Sequence, residues 1–218
     1  MEKLSTKLTD RLKGIRAYPV GLSADDVQQL SLTRDLVEDI LNCLASSDIV
    51  DQQMALFFTD ILIEPGSIDK NQQANLIAQI IRLSGATGKQ VQAPAYKLLA
   101  RYSSQVPDYR AMMLNGLQNP DPMVRKEALL AHGSYCRAKE VFPLEAFEND
   151  NYLTETVMGG PLVYELRNIA LEAIERAIGK TFQKSEKSEA QSSGAVAFWW
   201  DWTPYHVWKD RWFKKLFM

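Results

Sequence analysis

Apolar residues recur along this chain at helical spacing, three or four positions apart, and show no convincing alternation of the kind that marks a half-buried strand. Three clear stripes consist of Leu36, Val37, Ile40, Leu41 and Leu44; of Met54, Phe57, Phe58, Ile61 and Leu62; and of Leu76, Ile77, Ile80, Ile81 and Leu83. A helix of three or four turns is marginal alone in water, so each stripe must be buried on neighbouring helices. The pattern predicts an all-α protein with about nine to eleven helices in antiparallel pairs.

Helix start and stop signals agree with these stripes. Ser23, Asp69 and Asp121 precede helical segments as N-cap residues, and Pro122 suits the first turn because its missing N–H needs no partner there. Gly179 follows the segment "LEAIERAI" and predicts a helix end. The intervening loops are therefore short, as expected between antiparallel neighbours.

Four segments align as an internal repeat. They share a small residue where two helices can cross closely, at Ala55, Ala95, Ala128 and Ala170. Four positions earlier stand Asp51, Val91, Val124 and Leu166, and the next position carries a long polar side chain in each copy: Gln52, Gln92, Arg125 and Arg167. The interval between copies lies in the range of roughly 30 to 50 residues that is typical of helical repeats.

The segment "DPMVRKEALLAHGSY" resembles the second helix of HEAT-like repeats, of the kind also found in bacterial relatives of phycobilin lyases. The matching residues are Asp121, Val124, Arg125, Ala128 and Ala131, and "YELRNIALEAIERAIGKTF" resembles the last such repeat. The resemblance is good for residues 119–180 and looser before them, where Gln replaces Arg and Pro94 stands within the helix. It implies a right-handed α-solenoid, an armadillo-like alpha-alpha superhelix, over residues 1–182.

A solenoid of this kind presents an extended concave surface lined by the second helix of each pair. We therefore expect a non-enzymatic protein-binding scaffold or adaptor, with Gln52, Gln92, Arg125 and Arg167 as the candidate partner surface. An immunity protein that neutralises a toxin in the cytoplasm is an alternative within the same class. A bilin lyase-like enzyme is the activity that the resemblance could suggest, but the repeat alone implies no reaction, and that reading is rejected.

Charge and composition narrow the possible partners. The chain has 25 Lys and Arg against 27 Asp and Glu, a net charge of −2, so it lacks the basic excess that attracts nucleic acid. The first residues space Leu4, Leu8, Leu12 and Ile15 among charges, where a secretory signal would be continuously apolar. A cytoplasmic protein is expected, and no cofactor is implied.

Few residues suggest chemistry. His132 and Cys136 lie four positions apart on one predicted helix, but no third group with the spacing of a catalytic set or a metal site accompanies them. We interpret His132 as a structural histidine, and Cys43 and Cys136 as buried free thiols. No catalytic or metal-binding residue is assigned. The acidic residues Glu145, Glu148, Asp150 and Glu155 suggest a solvated face or, as the alternative, a site for a basic partner.

All five tryptophans lie in the last segment, residues 198–218, after a polar stretch at 183–197 that we interpret as a flexible linker. The predicted packing residues of this tail are Trp199, Trp200, Trp202, Trp208 and Trp212. Tyr205, Trp208, Trp212, Phe213 and Leu216 fall on one side of a helix, and Lys209, Asp210, Lys214 and Lys215 mainly on the other. We expect an amphipathic helix that caps the last repeat, with a protein partner and a membrane surface as the alternatives.

Overall fold

The computed structural model describes residues 27–28, 30–86, 88–155, 162–182, 185–191 and 195–216. The predicted N-terminal helix and the Ser23 cap lie outside the described residues, as do the side chains of residues 212–216. The chain divides into two compact units, residues 1–112 and 113–218.

The first unit is built from two helical hairpins. Its helices are α1 (Arg34–Ala45), α2 (Ile49–Leu62), α3 (Lys70–Ser84) and α4 (Lys89–Arg101). Helix α1 packs on α2 and α3, while α4 packs on α3 and α2. The apolar stripes supply a core that includes Leu36, Ile40, Leu44, Ala55, Leu56, Phe58, Leu76, Ile80, Ala95 and Leu99. The helical prediction is confirmed for the described residues of this unit.

Side chains at the helix starts explain where these elements begin. Asp69 accepts hydrogen bonds from the backbone N–H groups of Asn71 and Gln72, and the Gln72 side chain completes a capping box. Asp48 caps α2 by accepting from the backbone N–H of Val50, and Thr33 caps α1 by accepting from that of Leu36. The Asp69 start that the sequence predicts is therefore confirmed.

Helix α5 (Tyr109–Leu117) leads into the second unit, whose first long helix is α6 (Pro122–Tyr135). Asp121 caps α6 by accepting from the N–H groups of Met123 and Val124, as predicted. Two 3₁₀ segments follow at Ala138–Glu140 and Phe142–Asn149.

Helix α7 (Glu165–Ile178) packs along α6. It ends at Gly179, whose φ of 67° is the left-handed conformation that glycine adopts without strain, so this predicted end is also confirmed. The alanine predicted at the close helix crossing of each copy, Ala128 in α6 and Ala170 in α7, is fully buried. Helix α8 (Thr203–Leu216) comes last.

The second unit also contains a small sheet that the helical periodicity does not predict. Its strands are β1 (Thr154–Glu155), β2 (Leu162–Val163), β3 (Glu186–Ala190) and β4 (Val196–Trp200), in the order β1-β2-β4-β3. Strand β4 runs parallel to β2 and antiparallel to β3. The sheet packs on α7 through β4, where Ala197 is fully buried.

This sheet corrects two expectations about the end of the chain. The segment 183–197, expected as a flexible linker, contains β3 and the start of β4. Strand β3 is held by backbone pairing with β4 and by an ion pair of 2.6 Å between Lys187 and Asp201. The segment 198–218, expected as a capping helix, begins as a strand and becomes helical only at Thr203. The described chain is therefore mostly helical with a small sheet.

No helix in the described part of the chain has both the length and the apolar content that a membrane crossing requires.

Candidate protein-binding surfaces

The two glutamines predicted as partner-facing form hydrogen bonds within the first unit. Gln52 is 9% exposed and donates from its amide to the carbonyl oxygen of Ser46, at the end of α1, over 2.6 Å. Gln92 donates to the carbonyl oxygen of Ser84, the last residue of α3, over 2.9 Å. Each side chain therefore satisfies a backbone acceptor at the end of the preceding helix, where carbonyl groups lack helical partners.

The two arginines do the same in the second unit. Arg125 donates to the carbonyl oxygens of Asn119 and Pro120, at 3.0 and 2.9 Å, just before α6 begins. Arg167 donates to the carbonyl oxygen of Asp150 at 2.7 Å, just after the 3₁₀ segment. The repeated long polar position thus donates to a backbone carbonyl oxygen in all four copies. In the first three copies this acceptor lies just before the helix that carries the side chain, whereas Arg167 reaches back 17 residues to Asp150.

Asp150 brings the two arginines together. Its carboxylate forms an ion pair with Arg125 at 2.9 Å, while its carbonyl oxygen accepts from Arg167. The Asp150 carboxylate also accepts from the backbone N–H of Tyr152 at 2.9 Å. Arg125 and Arg167 are therefore part of one partly buried polar cluster, whereas the two glutamines lie in the other unit.

The guanidinium group of Arg167 is also enclosed by aromatic rings. Its central carbon lies 3.5 Å from the ring centroid of Tyr164 and 5.0 Å from that of Trp199, and the residue is only 7% exposed. Stacking of this kind suits the planar guanidinium and is not available to lysine in the same way. The Tyr164 hydroxyl donates to the Glu189 carboxylate, and burial together with this carboxylate raises the pKa of Tyr164.

Two of the acidic residues that follow α6, Glu145 and Glu148, contact the tail. Glu145 accepts from the Tyr205 hydroxyl at 2.5 Å and from the Lys209 ammonium at 2.7 Å. Glu148 faces the His206 ring at 2.9 Å. Groups on α8 of the same chain therefore contact these two carboxylates.

The tryptophans differ in their roles within the tail. Trp202 is 1% exposed and meets the fully buried ring of Tyr205 edge-on at 6.0 Å, while Trp208 stacks on the other side of Tyr205 at the same centroid distance. Trp199 and Trp200 lie in β4 and are half-buried, and the Trp212 side chain lies outside the described residues. The tail packs on its own unit, with Trp202 and Tyr205 as its most buried rings.

The predicted structural role of His132 is confirmed. His132 is 3% exposed, and its ring nitrogens lie 3.0 Å from the Tyr135 hydroxyl and 3.3 Å from the Glu140 carbonyl oxygen. Cys136 is also buried, and burial, reinforced by the nearby Glu140, raises the pKa of its thiol. A raised pKa disfavours the thiolate that a nucleophile requires. Among the described residues no group of His, Cys, Asp or Glu side chains has the arrangement of a metal site.

A groove on α3 is the surface that the sequence pattern did not single out. It has a volume of about 580 Å³. Its lining is mostly apolar, with polar groups at the rim, and consists of Lys70, Gln73, Ala74, Ile77, Ala78, Ile81, Gln105 and Pro107. The Gln73 amide donates to the Gln105 side chain across the rim at 2.5 Å.

The sequence feature that could have predicted this groove is that the apolar residues of α3 cover more of the helix surface than the core contacts. The sequence predicts that Ile77 and Ile81 are both buried, but Ile81 is only half-buried and lines the groove with the exposed Ala74 and Ala78. These four residues have the spacing of a second apolar stripe on the same helix. Comparison with protein-family models, with curated proteins and with solved structures gives no match, so the groove and the contacts above are the basis for any functional conclusion.

Proposed function

We propose that this protein is a non-enzymatic protein-binding module made of stacked HEAT-like helix pairs, and that the groove on α3 receives a helix of its partner. The observation that carries the proposal is the apolar groove face of α3, where Ala74 and Ala78 are exposed, Ile81 is half-buried and Ile77 forms the floor. Among the described residues, no side chain fills this groove. The four long polar residues first considered for this role are occupied within the chain.

The shape of the groove favours a helix over a small molecule. It follows one face of α3 from Lys70 to Ile81, a length of about 17 Å or three helical turns. Alanine side chains one turn apart allow a second helix to approach closely, with the isoleucines as the neighbouring ridge. Grooves of this type bind the apolar face of an amphipathic helix.

The single charged residue in the groove lining favours one orientation of the partner helix. Lys70 is exposed at one end, and the rest of the lining is uncharged. A partner helix with apolar residues at three- and four-residue spacing, and a carboxylate at the end that meets Lys70, complements this arrangement. An adaptor and a toxin-neutralising immunity protein would both use such a groove, and the identity of the bound protein distinguishes them.

The test compares two arginine substitutions on α3. Ala78→Arg places a long charged side chain in the groove, whereas Asn75→Arg adds the same group at an exposed position outside it. Both variants and the wild type are used as bait in native lysate, and bound proteins are identified by mass spectrometry. A stoichiometric protein captured by wild type and Asn75→Arg, but lost with Ala78→Arg, supports the proposal.

Two outcomes contradict it. A partner captured equally by all three baits would bind elsewhere and would exclude the groove as the site. Turnover of a small molecule by the purified protein, abolished by Ala78→Arg, would replace the binding module with an enzyme. Thermal unfolding of the variants verifies that the groove substitution has left the fold intact.

A further inference from the structure

Strand β3 leaves one side of the small sheet open. The strand order β1-β2-β4-β3 places β3 at the edge, and all five of its residues, Glu186–Ala190, are exposed. Within the part of the chain that the structure describes, no strand pairs with its outer side. An open edge of this length is a template for another strand.

Two hydrogen bonds show which backbone groups of β3 face outward. The N–H of Gln191 donates to Ala195, and the N–H of Asp201 donates to Ser185, each at 2.8 Å. In an antiparallel pair the residues alternate between bonding to the neighbour and pointing away from it. The odd-numbered residues of β3 therefore bond to β4, while Glu186, Ser188 and Ala190 direct their N–H and C=O groups to the open side.

We propose that β3 pairs antiparallel with β3 of a second copy of this chain, about a two-fold axis at Ser188. In this register Ser188 faces Ser188 of the other copy, and Glu186 faces Ala190. These are the residues whose backbone groups point outward, so every N–H and C=O group on both edges finds a partner. The two sheets become one continuous sheet across a self-complementary interface.

Charge selects this register. It places Lys187 opposite Glu189 of the second copy, twice by symmetry, at the closely spaced positions where facing side chains interact most strongly. Within its own copy Lys187 already pairs with Asp201 and Glu189 accepts from Tyr164, so the cross-strand ion pairs add to these contacts. A shifted register that places Lys187 opposite Lys187 of the second copy, or Glu189 opposite Glu189 of the second copy, brings like charges together. Parallel in-register pairing sets like charges side by side. The Ser188-centred arrangement is therefore the one in which both pairs are attractive.

The charge order of β3 is complementary to itself, which favours a second copy of this chain as the pairing strand. A strand of a different protein would need to reproduce the same order of charges to gain the same contacts. Because a five-residue edge buries less area than a standard protein interface, the dimer should dissociate on dilution. Its ion pairs should also make it weaker at high salt.

Sedimentation equilibrium over a range of concentrations tests the proposal. The wild type should form a dimer, and Ser188→Pro should be monomeric because proline removes an outward N–H from the edge. A wild type that is monomeric throughout, or a dimer that survives Ser188→Pro, would overturn the proposal. Circular dichroism and tryptophan fluorescence establish that the variant is folded.

Charge reversal provides a test of the register that does not depend on proline. Glu189→Lys makes both positions positive, and Lys187→Glu makes both negative, so each variant alone should dimerise roughly ten-fold more weakly. An equimolar mixture of the two should restore association, because Lys then faces Glu at both positions. Failure of the mixture to associate would exclude this register.

A matched control separates the edge from general charge effects. Glu38→Lys on α1 makes the same change in net charge at an exposed position in the first unit. It should leave the dimer unaltered. Equal weakening by Glu38→Lys and Glu189→Lys would contradict the proposed interface.

Discussion

The hydroxyl of Tyr205 donates a hydrogen bond to the carboxylate of Glu145, 60 residues earlier in the chain, from a ring that is fully buried. Burial, together with this carboxylate, raises the pKa of Tyr205. The bond joins α8 to the 3₁₀ segment Phe142–Asn149. Removing this bond therefore tests how much it stabilises the packing of the tail on the second unit.

Tyr205→Phe should destabilise the protein by about 1 to 2 kcal/mol, because it removes this bond while Lys209 remains beside Glu145. Chemical denaturation measures the change. Tyr152→Phe is the matched control, since its hydroxyl contacts the Met123 sulfur at an exposed site. Equal effects of the two substitutions would show that the buried bond contributes nothing of its own.

Arg167→Lys should cost about 1 to 3 kcal/mol of stability. Lysine keeps the charge but cannot reproduce the fork that bonds to the Asp150 carbonyl and stacks on Tyr164. Arg34→Lys, at a side chain that is 82% exposed, should change stability by less than about 0.5 kcal/mol. Unfolding midpoints that do not differ between the two variants would argue against the enclosed guanidinium as a stabilising element.

Gly133→Ala should destabilise the crossing of α6 and α7. An alanine Cβ at this position would lie 2.7 Å from the Cβ of Ala173, which cannot move away without a backbone shift. The overpacking cost of about 1 to 3 kcal/mol exceeds the gain of about 1 kcal/mol from helix propensity.

The control for this crossing is Gly85→Ala, where the nearest atom to a new Cβ is 3.6 Å away, so stability should stay the same or rise by up to about 1 kcal/mol. Adding Ala173→Gly to Gly133→Ala removes the clash. If the double variant is not more stable than Gly133→Ala, the close approach is not the cause.

Asp201 should make the free energy of unfolding depend on pH in the acidic range. Burial raises the pKa of this carboxyl, but hydrogen bonds from Lys187 and Thr203 outweigh it and lower the pKa to about 2, from an ordinary value of 3.8. Because the folded-state pKa is depressed, the contribution is complete above about pH 4 and is lost as the pH falls towards 2.

Asp201→Asn keeps the acceptor for Thr203 but removes the charge. Thermal unfolding from pH 6 to pH 2 should therefore show the difference between wild type and this variant shrinking as the pH falls. Asp210→Asn, an exposed acid of α8, serves as the reference. A wild-type advantage over Asp201→Asn that stays constant down to pH 2 would refute the assignment.

Tryptophan fluorescence reports on the tail, since all five tryptophans lie at or beyond residue 199. Trp202 is almost fully buried, so the protein should show blue-shifted emission in buffer without lipid. Trp202→Phe should shift the maximum to longer wavelength more than Trp200→Phe, whose ring is half-buried. Emission like that of free tryptophan, blue-shifted only on adding anionic vesicles, would instead favour a tail that binds membranes.

Local rules predicted much of this fold. The Asp69, Asp121 and Gly179 helix boundaries depend on neighbouring residues alone, and the buried alanines follow from helical spacing. Strand β3 does not, because "EKSEA" has no apolar alternation and is held by pairing with β4. The repeated Gln and Arg positions were recognised as equivalent, but their acceptors are backbone carbonyls that only the folded loops bring into reach.

The docked tail has a consequence for how the protein is made. The first unit contains only residues up to 112, so its internal contacts can form once that part of the chain has left the ribosome. The second unit needs Trp202 and Tyr205 to fill its interior. Until α8 emerges, Phe182 lacks its ring contact with Tyr205, and Glu145 and Glu148 lack their hydrogen bonds with Tyr205 and His206. During synthesis the first unit is therefore translated before Trp202 and Tyr205, which the second unit needs to complete its folding.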